Sequence, residues 1–367
     1  MKFSISREDL LRPLTLVAGV VERRQTLPVL SNVLIQVDQD QLALTGTDLE
    51  VELIGRTVAG SVEEPGSATL PARKLMDICK SLPDQSEIQF SLEEGRAVLR
   101  CGRSRFTLST LPVAEFPNIE DTQGSVEISL PRGTLKHLID TTSFAMAQQD
   151  VRYYLNGMLL ELQTNLVRAV ATDGHRLAVC SRHAEIEVET AQKLIVPRKG
   201  ILELVRLLDE GDEVVTLTLG ASHVRAHTGD FTFTSKLVDG KFPDYERVVP
   251  RGGDKVFIAD RAALRQVLSR TAILSNEKYR GVRLHLDEGN LRVMANNPEQ
   301  EEAEETIAVE YSGDALEIGF NVGYLIDVLN ALNEDRIQMT LSDPNSSALM
   351  EEPGGGDTLY VVMPMRL

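Results

Sequence analysis

The chain has 367 residues, enough for two or three domains, and its 42% hydrophobic and 25% charged residues are typical of a globular protein. Its formal net charge of -17 argues against nucleic-acid binding by the surface as a whole, although net charge does not show where basic residues lie. Cys79, Cys101 and Cys180 have no paired ligand spacing, so we expect neither a disulfide nor a metal site. With no apolar signal core and no apolar run long enough to span a bilayer, we expect a soluble, cytoplasmic protein.

The first third of the chain predicts strands and two helices. One helix opens at Ser6 or Arg7 and carries Leu10, Leu14 and Val17 at helical spacing. A second helix starts at Pro71, because proline lacks the N–H that a first helical turn cannot satisfy. Alternating apolar residues predict strands at 2–5, 33–37, 42–44, 51–54, 88–92, 97–101 and 105–111.

The same order recurs twice more. The second copy predicts a strand at 126–130, a helix carrying Leu135, and a second helix after Pro197. The third predicts a strand at 256–258, a helix through Leu264, a second helix near Asn321, and a final strand at 359–367. The glycine-rich stretch 352–357 predicts a hairpin loop, because it lacks the lysine and hydroxyl context of a phosphate-binding loop.

A short pattern marks the three copies at nearly equal spacing. Thr47-Asp48 and Thr172-Asp173 each follow a predicted strand, and Asn296 begins the third occurrence. A repeat of this length is a whole domain rather than a solenoid unit. We therefore predict an α+β fold of three similar domains at 1–122, 126–250 and 254–367, in which helices cover one face of antiparallel sheets.

Aligning the copies brings basic residues to equivalent positions on helices. The equivalent sets are Arg7 with Arg132 and Arg261, Arg73 with Lys199, and Lys80 with Arg206. We expect the first set on the solvent side of each first helix, where a basic stripe would hold a polyanion by its backbone. An ordinary mixed-charge helix surface is the alternative. No aromatic series accompanies the stripe, which favours duplex over single-stranded nucleic acid.

Several motifs together resemble one known family along the whole chain. They are TDGHRL at 172–177, QDVRYYLNG at 149–157, SNEK at 275–278, NNPEQE at 296–301 and VMPMRL at 362–367. This combination resembles the bacterial DNA polymerase III beta subunit family, the sliding clamps. The resemblance implies a non-catalytic processivity factor without a cofactor, built from three clamp-type domains. It further implies that two chains close head to tail into a ring, with helices around duplex DNA and sheets outside.

The resemblance also implies a cleft between the second and third domains for short peptides of the polymerase III alpha subunit, the clamp loader, other polymerases and repair proteins. The matching residues are Arg152, Leu155, Thr172, Gly174, His175, Arg176, Leu177, Pro243, Arg247, Val248, Asn321, Tyr324, Val361, Met363, Pro364, Met365 and Arg366. Apolar wells with orienting arginines suit a peptide. Two or three anchors at about 1.5–3 kcal/mol each, reduced by the ordering of a flexible segment, predict affinity of about 1 micromolar.

Two further residue sets follow from the resemblance. Those for DNA are Arg24, Arg73, Lys74, Gln149, Tyr153, Arg198 and Lys199. Those for the homodimer are an apolar centre of Phe106, Leu108, Ile273 and Leu274, with Arg96, Arg103 and Arg105 facing Glu299, Glu301 and Glu302. Exposed ion pairs of this kind add specificity more than strength.

Departures and alternatives remain. Tyr279 adds a hydroxyl where the family sequence that we compare has phenylalanine, and the loop 343–346 also differs, so the edge of the cleft differs in detail.

A peptide-binding scaffold that does not encircle DNA would use the same cleft. An enzyme using Asp173 and His175 as an acid/base pair lacks a nucleophile, metal-ligand or phosphate motif. His223 and His227 would point the same way from a strand, but two ligands make a weak metal site.

Overall fold

The computed structural model describes residues 1–22, 27–117, 119 and 126–366. Arg24, predicted to bind DNA, and the predicted connector 120–125 lie outside the described residues. In the described ranges, no helix is long and apolar enough to cross a membrane.

Two helices occur in each repeat, as predicted. They are α1 (Arg7–Val20), α2 (Ala72–Ser81), α3 (Arg132–Thr142), α4 (Arg198–Val205), α5 (Arg261–Thr271) and α6 (Val322–Ala331). Ser6 caps α1 by accepting from an N–H of its first turn, and Asn321 caps α6 in the same way. α2 begins at Ala72, one residue later than predicted, and α4 begins at Arg198, directly after Pro197 as predicted. Pro71 and Pro197 are each the last paired residue of a strand. Each therefore stands before the first helical turn, where its missing N–H costs nothing.

The strands confirm the α+β class. The first repeat contains β1 (Lys2–Ser6), β2 (Asn32–Asp38), β3 (Gln41–Thr47), β4 (Val51–Val58), β5 (Ser61–Glu64), β6 (Gly66–Pro71), β7 (Glu87–Glu93), β8 (Arg96–Cys101) and β9 (Ser104–Ser109). The second contains β10 (Val126–Pro131), β11 (Gly157–Gln163), β12 (Leu166–Thr172), β13 (Arg176–His183), β14 (Gln192–Pro197), β15 (Val214–Leu219), β16 (His223–Thr228) and β17 (Phe231–Lys236). The third contains β18 (Lys255–Asp260), β19 (Gly281–Asp287), β20 (Asn290–Asn296), β21 (Glu302–Ala308), β22 (Leu316–Asn321), β23 (Arg336–Leu341), β24 (Ala348–Glu351) and β25 (Thr358–Val362).

Three strand predictions differ from the structure. β5 and β6 were not predicted, since β5 is polar and lacks clean alternation. The final strand ends at Val362 rather than continuing to 367, because Pro364 has no N–H for a ladder. The glycine-rich stretch 352–357 joins β24 to β25, which pair antiparallel, so the predicted hairpin is confirmed.

In the part of the chain that the structure describes, every strand pair is antiparallel, and two of the four sheets are shared between repeats. One eight-stranded sheet has the order β10-β15-β16-β17-β4-β3-β2-β6, and the other has the order β14-β11-β12-β13-β25-β24-β23-β18. The remaining sheets are β5-β1-β7-β8-β9 and β21-β20-β19-β22. The chain accordingly forms two compact units, unit 1 (Met1–Leu135 and Lys199–Leu237) and unit 2 (Lys136–Arg198 and Val238–Leu367). The second repeat contributes residues to both units.

The helices bury the apolar positions that the sequence pattern predicts. Leu10, Leu14 and Val17 of α1 are buried, as are Leu264 and Val267 of α5. Each buried side chain of this size stabilises the fold by about 1.5–3 kcal/mol relative to an exposed one. Fully apolar stripes on short helices thus fix which face of each helix lies against its sheet.

One turn geometry recurs at the predicted repeat motif. The Thr47 and Thr172 hydroxyls donate to the carbonyl four residues later, at 2.9 and 2.6 Å, and each accepts from the N–H two residues later at 3.1 Å. Asp48 and Asp173 accept the N–H three residues later, at 2.7 and 3.0 Å. These hydrogen bonds close the turn locally. Asp173 therefore has a structural role of the same kind as Asp48.

The basic stripe of Arg7, Arg132 and Arg261 was wrongly predicted to face solvent. Arg7 donates to the carbonyl of Cys79 in α2 at 2.8 Å, and Arg261 donates to the carbonyl of Leu329 in α6 at 3.1 Å. Arg132 forms ion pairs at 2.5 and 3.4 Å with two carboxylates that follow α4. The last carbonyls of a helix are unsatisfied and carry partial negative charge, so a guanidinium there links the two helices of a repeat.

Candidate functional site

A cavity of about 360 Å³ lies in unit 2. The predicted cleft residues that line it are Arg152, Leu155, Thr172, Gly174, His175, Arg176, Leu177, Pro243, Val248, Val361 and Met363. Asp244, Tyr245 and Ser347 also line it, and the sequence reasoning missed them. The cavity combines apolar walls with a few polar groups, which is the usual composition of a ligand site.

Strand pairing brings these residues together. Leu177 on β13 is opposite Thr172 on β12 and opposite Val361 on β25, so three strands of one sheet meet at the cavity. Beyond the strand end, Met363 N donates to the carbonyl of His175 at 2.9 Å. The sheet order thus places residues far apart in sequence at one edge.

Arg176 supports one wall of the cavity rather than presenting a free guanidinium. It pairs with Asp173 at 3.1 Å and Asp327 at 2.5 Å, and it donates to the carbonyl of Phe144 at 2.8 Å. Its guanidinium carbon lies 4.6 Å from the centre of the Tyr324 ring. Each of its three guanidinium nitrogens is engaged within the chain, so Arg176 packs against Tyr324 as part of the cavity wall, and its contact with a ligand stays a prediction.

Arg152 covers the turn at Gly174. The Asp150 carboxylate accepts from Arg152 at 3.0 and 2.8 Å, and this pairing lowers the pKa of Asp150 to about 2. Gly174 has a φ of +88°, and a Cβ there would come within 2.9 Å of the Arg152 guanidinium. Glycine is therefore favoured by the positive φ, and a Cβ at this position would displace the Arg152 guanidinium.

A buried polar network lies beneath Tyr245. The Tyr245 hydroxyl donates to the Glu161 carboxylate at 2.7 Å and accepts from Arg168 at 2.9 Å, while Lys193 pairs with the other Glu161 oxygen at 2.5 Å. Burial would raise the pKa of Glu161, but hydrogen bonds from Lys193 and Tyr245 outweigh it and lower that pKa. Burial and the bond to Glu161 raise the pKa of Tyr245 to about 12. The network anchors the segment 243–248, which forms one side of the cavity.

A second, more polar cavity of about 810 Å³ adjoins the first and shares Asp244, Val248 and Ser347 with it. Arg247, predicted for the cleft, lines this cavity and pairs with Asp244 at 2.7 Å. The divergent loop 343–346 contributes Asn345 and Ser346 to its lining. The loop thus borders the site on the side of this second cavity.

The remaining predicted cleft residues do not line the first cavity. Asn321 caps α6 and donates to the carbonyl of Tyr279 at 3.3 Å, while the Tyr279 ring is exposed. Met365 N donates to the carbonyl of Gly319 at 2.9 Å, so the segment of Pro364, Met365 and Arg366 runs past the end of β22.

Comparison with known proteins identifies the family. Three domain profiles of the DNA polymerase III beta subunit match in order, the N-terminal at residues 1–120, the central at 129–244 and the C-terminal at 246–366. The beta sliding clamps of Pseudomonas putida and Pseudomonas aeruginosa are 63% and 64% identical over 367 residues, covering 100% of each chain. A crystal structure of the Pseudomonas aeruginosa polymerase III subunit beta superposes with a TM-score of 0.96 at 63% identity, covering 100% of both chains.

The chain belongs to the DNA polymerase III beta subunit family. Its function is that of a sliding clamp, a non-catalytic processivity factor of DNA replication, and its fold is the three-domain clamp fold. The alternative of an acid/base enzyme using Asp173 and His175 is therefore wrong, in agreement with the structural role of the Asp173 carboxylate in its turn.

Some of the predicted DNA-binding residues are exposed to solvent, and others form ion pairs or hydrogen bonds within the chain. Arg73 and Lys74 at the start of α2 are exposed and form no ion pair within the described ranges. Gln149 and Tyr153 are also exposed. Lys199 is engaged by Asp48 and Glu22, and these carboxylates raise its pKa against the opposing effect of burial.

Arg198 is less available than predicted. It is partly buried and donates to the carbonyl of Met146 at 3.3 Å. Burial and the neighbouring Arg176 lower its pKa. A guanidinium held in this way supports the backbone of unit 2, and its DNA-binding role stays a prediction.

Some of the predicted dimer residues lie at the free edges of two sheets. Arg103 and Arg105 belong to the β8–β9 hairpin and its edge strand, and Glu302 begins the edge strand β21. Ile273 is 76% exposed in the turn after α5, whereas Leu108 is buried within its own sheet. Leu108 therefore packs mainly inside unit 1.

Proposed function

We propose that two copies of the chain pair head to tail into a ring around duplex DNA. The observation that carries this proposal is a missing strand pair. β4, β13 and β21 are equivalent in the three repeats, as are β9, β17 and β25. Within the chain β4 pairs with β17 and β13 pairs with β25, both antiparallel, while β9 and β21 are free edge strands. Pairing β9 of one copy with β21 of the next would complete the series.

The charges at these two edges support that pairing. The β8–β9 region carries Arg96, Arg103 and Arg105, and the strand β21 with its preceding turn carries Glu299, Glu301 and Glu302. Arg96 and Arg103 form no ion pair among the described residues. Free edge strands tend to pair nonspecifically. Opposite charges on the two edges would favour pairing of β9 with β21 over other pairings.

We propose that the helices bind the DNA backbone without reading its sequence. Arg73 and Lys74 are exposed cations at the start of a helix, and contacts of this kind hold phosphate without sequence information. We retain Gln149, Tyr153, Arg198 and Lys199 in the DNA-contact set, with Lys199 as its most constrained member. The domain boundaries 1–122, 126–250 and 254–367 also form part of this proposal.

We propose that the 360 Å³ cavity binds a short peptide from the polymerase III alpha subunit, the clamp loader, other polymerases and repair proteins in the cytoplasm. Leu155, Leu177, Val361 and Met363 supply apolar contacts at the cavity, and Arg152 borders its rim. Three buried anchors at the upper value of about 3 kcal/mol each, less the ordering of the peptide, give affinity of at most about 1 micromolar. Binding of that strength lets partners exchange.

Retention on DNA tests the ring. The protein, loaded by an ATP-driven clamp loader onto nicked circular duplex, should stay bound and should run off after the circle is cut. Equal loss from circular and linear DNA would refute encirclement and favour a peptide-binding scaffold. The mass of the native assembly is the companion measurement, since a monomer at micromolar concentration would contradict the ring.

The double variant Met363→Ala, Pro364→Ala tests the cleft separately. Peptide binding should weaken while the dimer mass stays unchanged, because neither residue lies on β9 or β21. Unchanged peptide affinity would place the peptide site elsewhere.

A further inference from the structure

A group of metal-ligating side chains lies in unit 2 outside the peptide cavity. His137 on α3, Cys180 on β13 and Asp357 just before β25 place one ligand atom each within 4.8 Å of one another. We propose that His137, Cys180 and Asp357 bind a single Zn²⁺ ion. The three residues come from distant parts of the chain, so no ligand spacing in the sequence could indicate the site.

The donor set matches zinc. Imidazole nitrogen, thiolate sulfur and carboxylate oxygen are the three protein ligand types that Zn²⁺ takes, and three such ligands leave a fourth position for water. Cys180 is buried, while His137 and Asp357 are partly exposed, so the group is open to solvent on one side. An ion can therefore enter without unfolding the sheet.

The second observation concerns the surroundings of the His137 ring nitrogen Nε2. Its Nε2 atom is buried and makes no hydrogen bond within the described residues, although an Asp357 oxygen lies 3.2 Å away. An ion between these two atoms would coordinate both the His137 nitrogen and the Asp357 oxygen. Burial and the nearby Arg182 lower the pKa of His137, which favours the neutral ring that ligates metals.

Binding is coupled to proton release. Cys180 is a buried free cysteine, and a free thiol is protonated near neutral pH. Zn²⁺ binds the thiolate, and the S–H proton leaves to solvent as the Zn–S bond forms. Affinity should accordingly rise with pH.

Arg182 is the competing cation. Its Nε lies 2.5 Å from the same Asp357 oxygen that faces His137, and its side chain is 44% exposed. Because it reaches the carboxylate from solvent, it can turn outward when an ion binds. The ion would then link α3 to the pair β13 and β25, which joins the second and third repeats.

Titration of the full-length, tag-free protein with Zn²⁺ tests the site. Cys180→Ser and His137→Gln should each weaken Zn²⁺ binding more than about tenfold. Mutation of a residue that only hydrogen-bonds to a metal ligand already weakens metal binding by about that much, and loss of the ligand itself costs at least as much. Arg182→Gln should tighten binding by removing the competitor. Cys79→Ser is the matched control, because Cys79 is also a buried free thiol but has no such group around it among the described residues.

A second readout uses the unaltered protein and Cys79→Ser, so it does not depend on whether the ligand variants fold. Co²⁺ in place of Zn²⁺ should give the near-ultraviolet charge-transfer absorption of a cobalt–thiolate bond in both proteins. Absence of that absorption would overturn the site, as would unchanged Zn²⁺ affinity in Cys180→Ser.

Discussion

Removal of the Tyr245 hydroxyl should loosen the cavity side formed by the segment 243–248. In Tyr245→Phe the buried Glu161 carboxylate, in a residue 3% exposed, loses a 2.7 Å donor, and Arg168 loses an acceptor. A hydrogen bond to a charged group is worth about 1.5–3 kcal/mol. A loss of about 2 kcal/mol corresponds to roughly thirtyfold more frequent local opening.

Hydrogen exchange of this segment, followed by mass spectrometry, measures that opening directly. The Val248 amide is a suitable reporter, because it donates to the carbonyl of Tyr245 at 3.1 Å. The matched control is Tyr360→Phe. It removes a hydroxyl that donates to the neutral carbonyl of Thr141 at 3.1 Å, and it should leave hydrogen exchange in the segment 243–248 unchanged. Exchange in Tyr245→Phe as slow as in the unaltered protein would refute the anchoring role of the network.

Four further variants test the turn, the DNA contacts and the ring. Gly174→Ala should weaken peptide binding in a fluorescence anisotropy titration by displacing Arg152 and straining the turn by about 1 kcal/mol; unchanged affinity would contradict this. Lys74→Ala should reduce the salt slope of DNA binding by about 1. Lys199→Ala should chiefly lower the melting temperature, since it leaves the Asp48 carboxylate, only 6% exposed, without its partner. A lower melting temperature in Lys74→Ala and a smaller salt slope in Lys199→Ala would reverse these roles. Arg103→Glu should shift sedimentation toward monomer by charge repulsion, and an unaltered profile would exclude that edge.

Local patterns in the sequence predicted the elements well. Leu10, Leu14 and Leu264 fall at helical spacing and are buried, and Ser6 and Asn321 are the caps that their side chains favour. These features depend on neighbours within one or two turns, which a single sequence displays.

Contacts between side chains that are far apart in the sequence were harder to predict. Arg7 looked like a solvent-facing helix residue, because its spacing alone does not show that the end of α2 lies within reach. Glu161 and Arg168 are opposite each other on the β11–β12 hairpin, so their opposite charges were a usable signal that the sequence reasoning missed. Tyr245 completes that pair from a distant turn, which no local pattern could indicate.

The shared sheets also constrain how the chain can be made. β4 lies inside an eight-stranded sheet only when β17 is present, so unit 1 cannot be completed until the ribosome has delivered Phe231–Lys236. In the same way β13 can pair with β25 only after Thr358–Val362 has been synthesised. Exposed strand edges during this interval are a risk for aggregation. The nascent repeats therefore fold as interdependent parts, and a fragment cut between repeats should be poorly soluble.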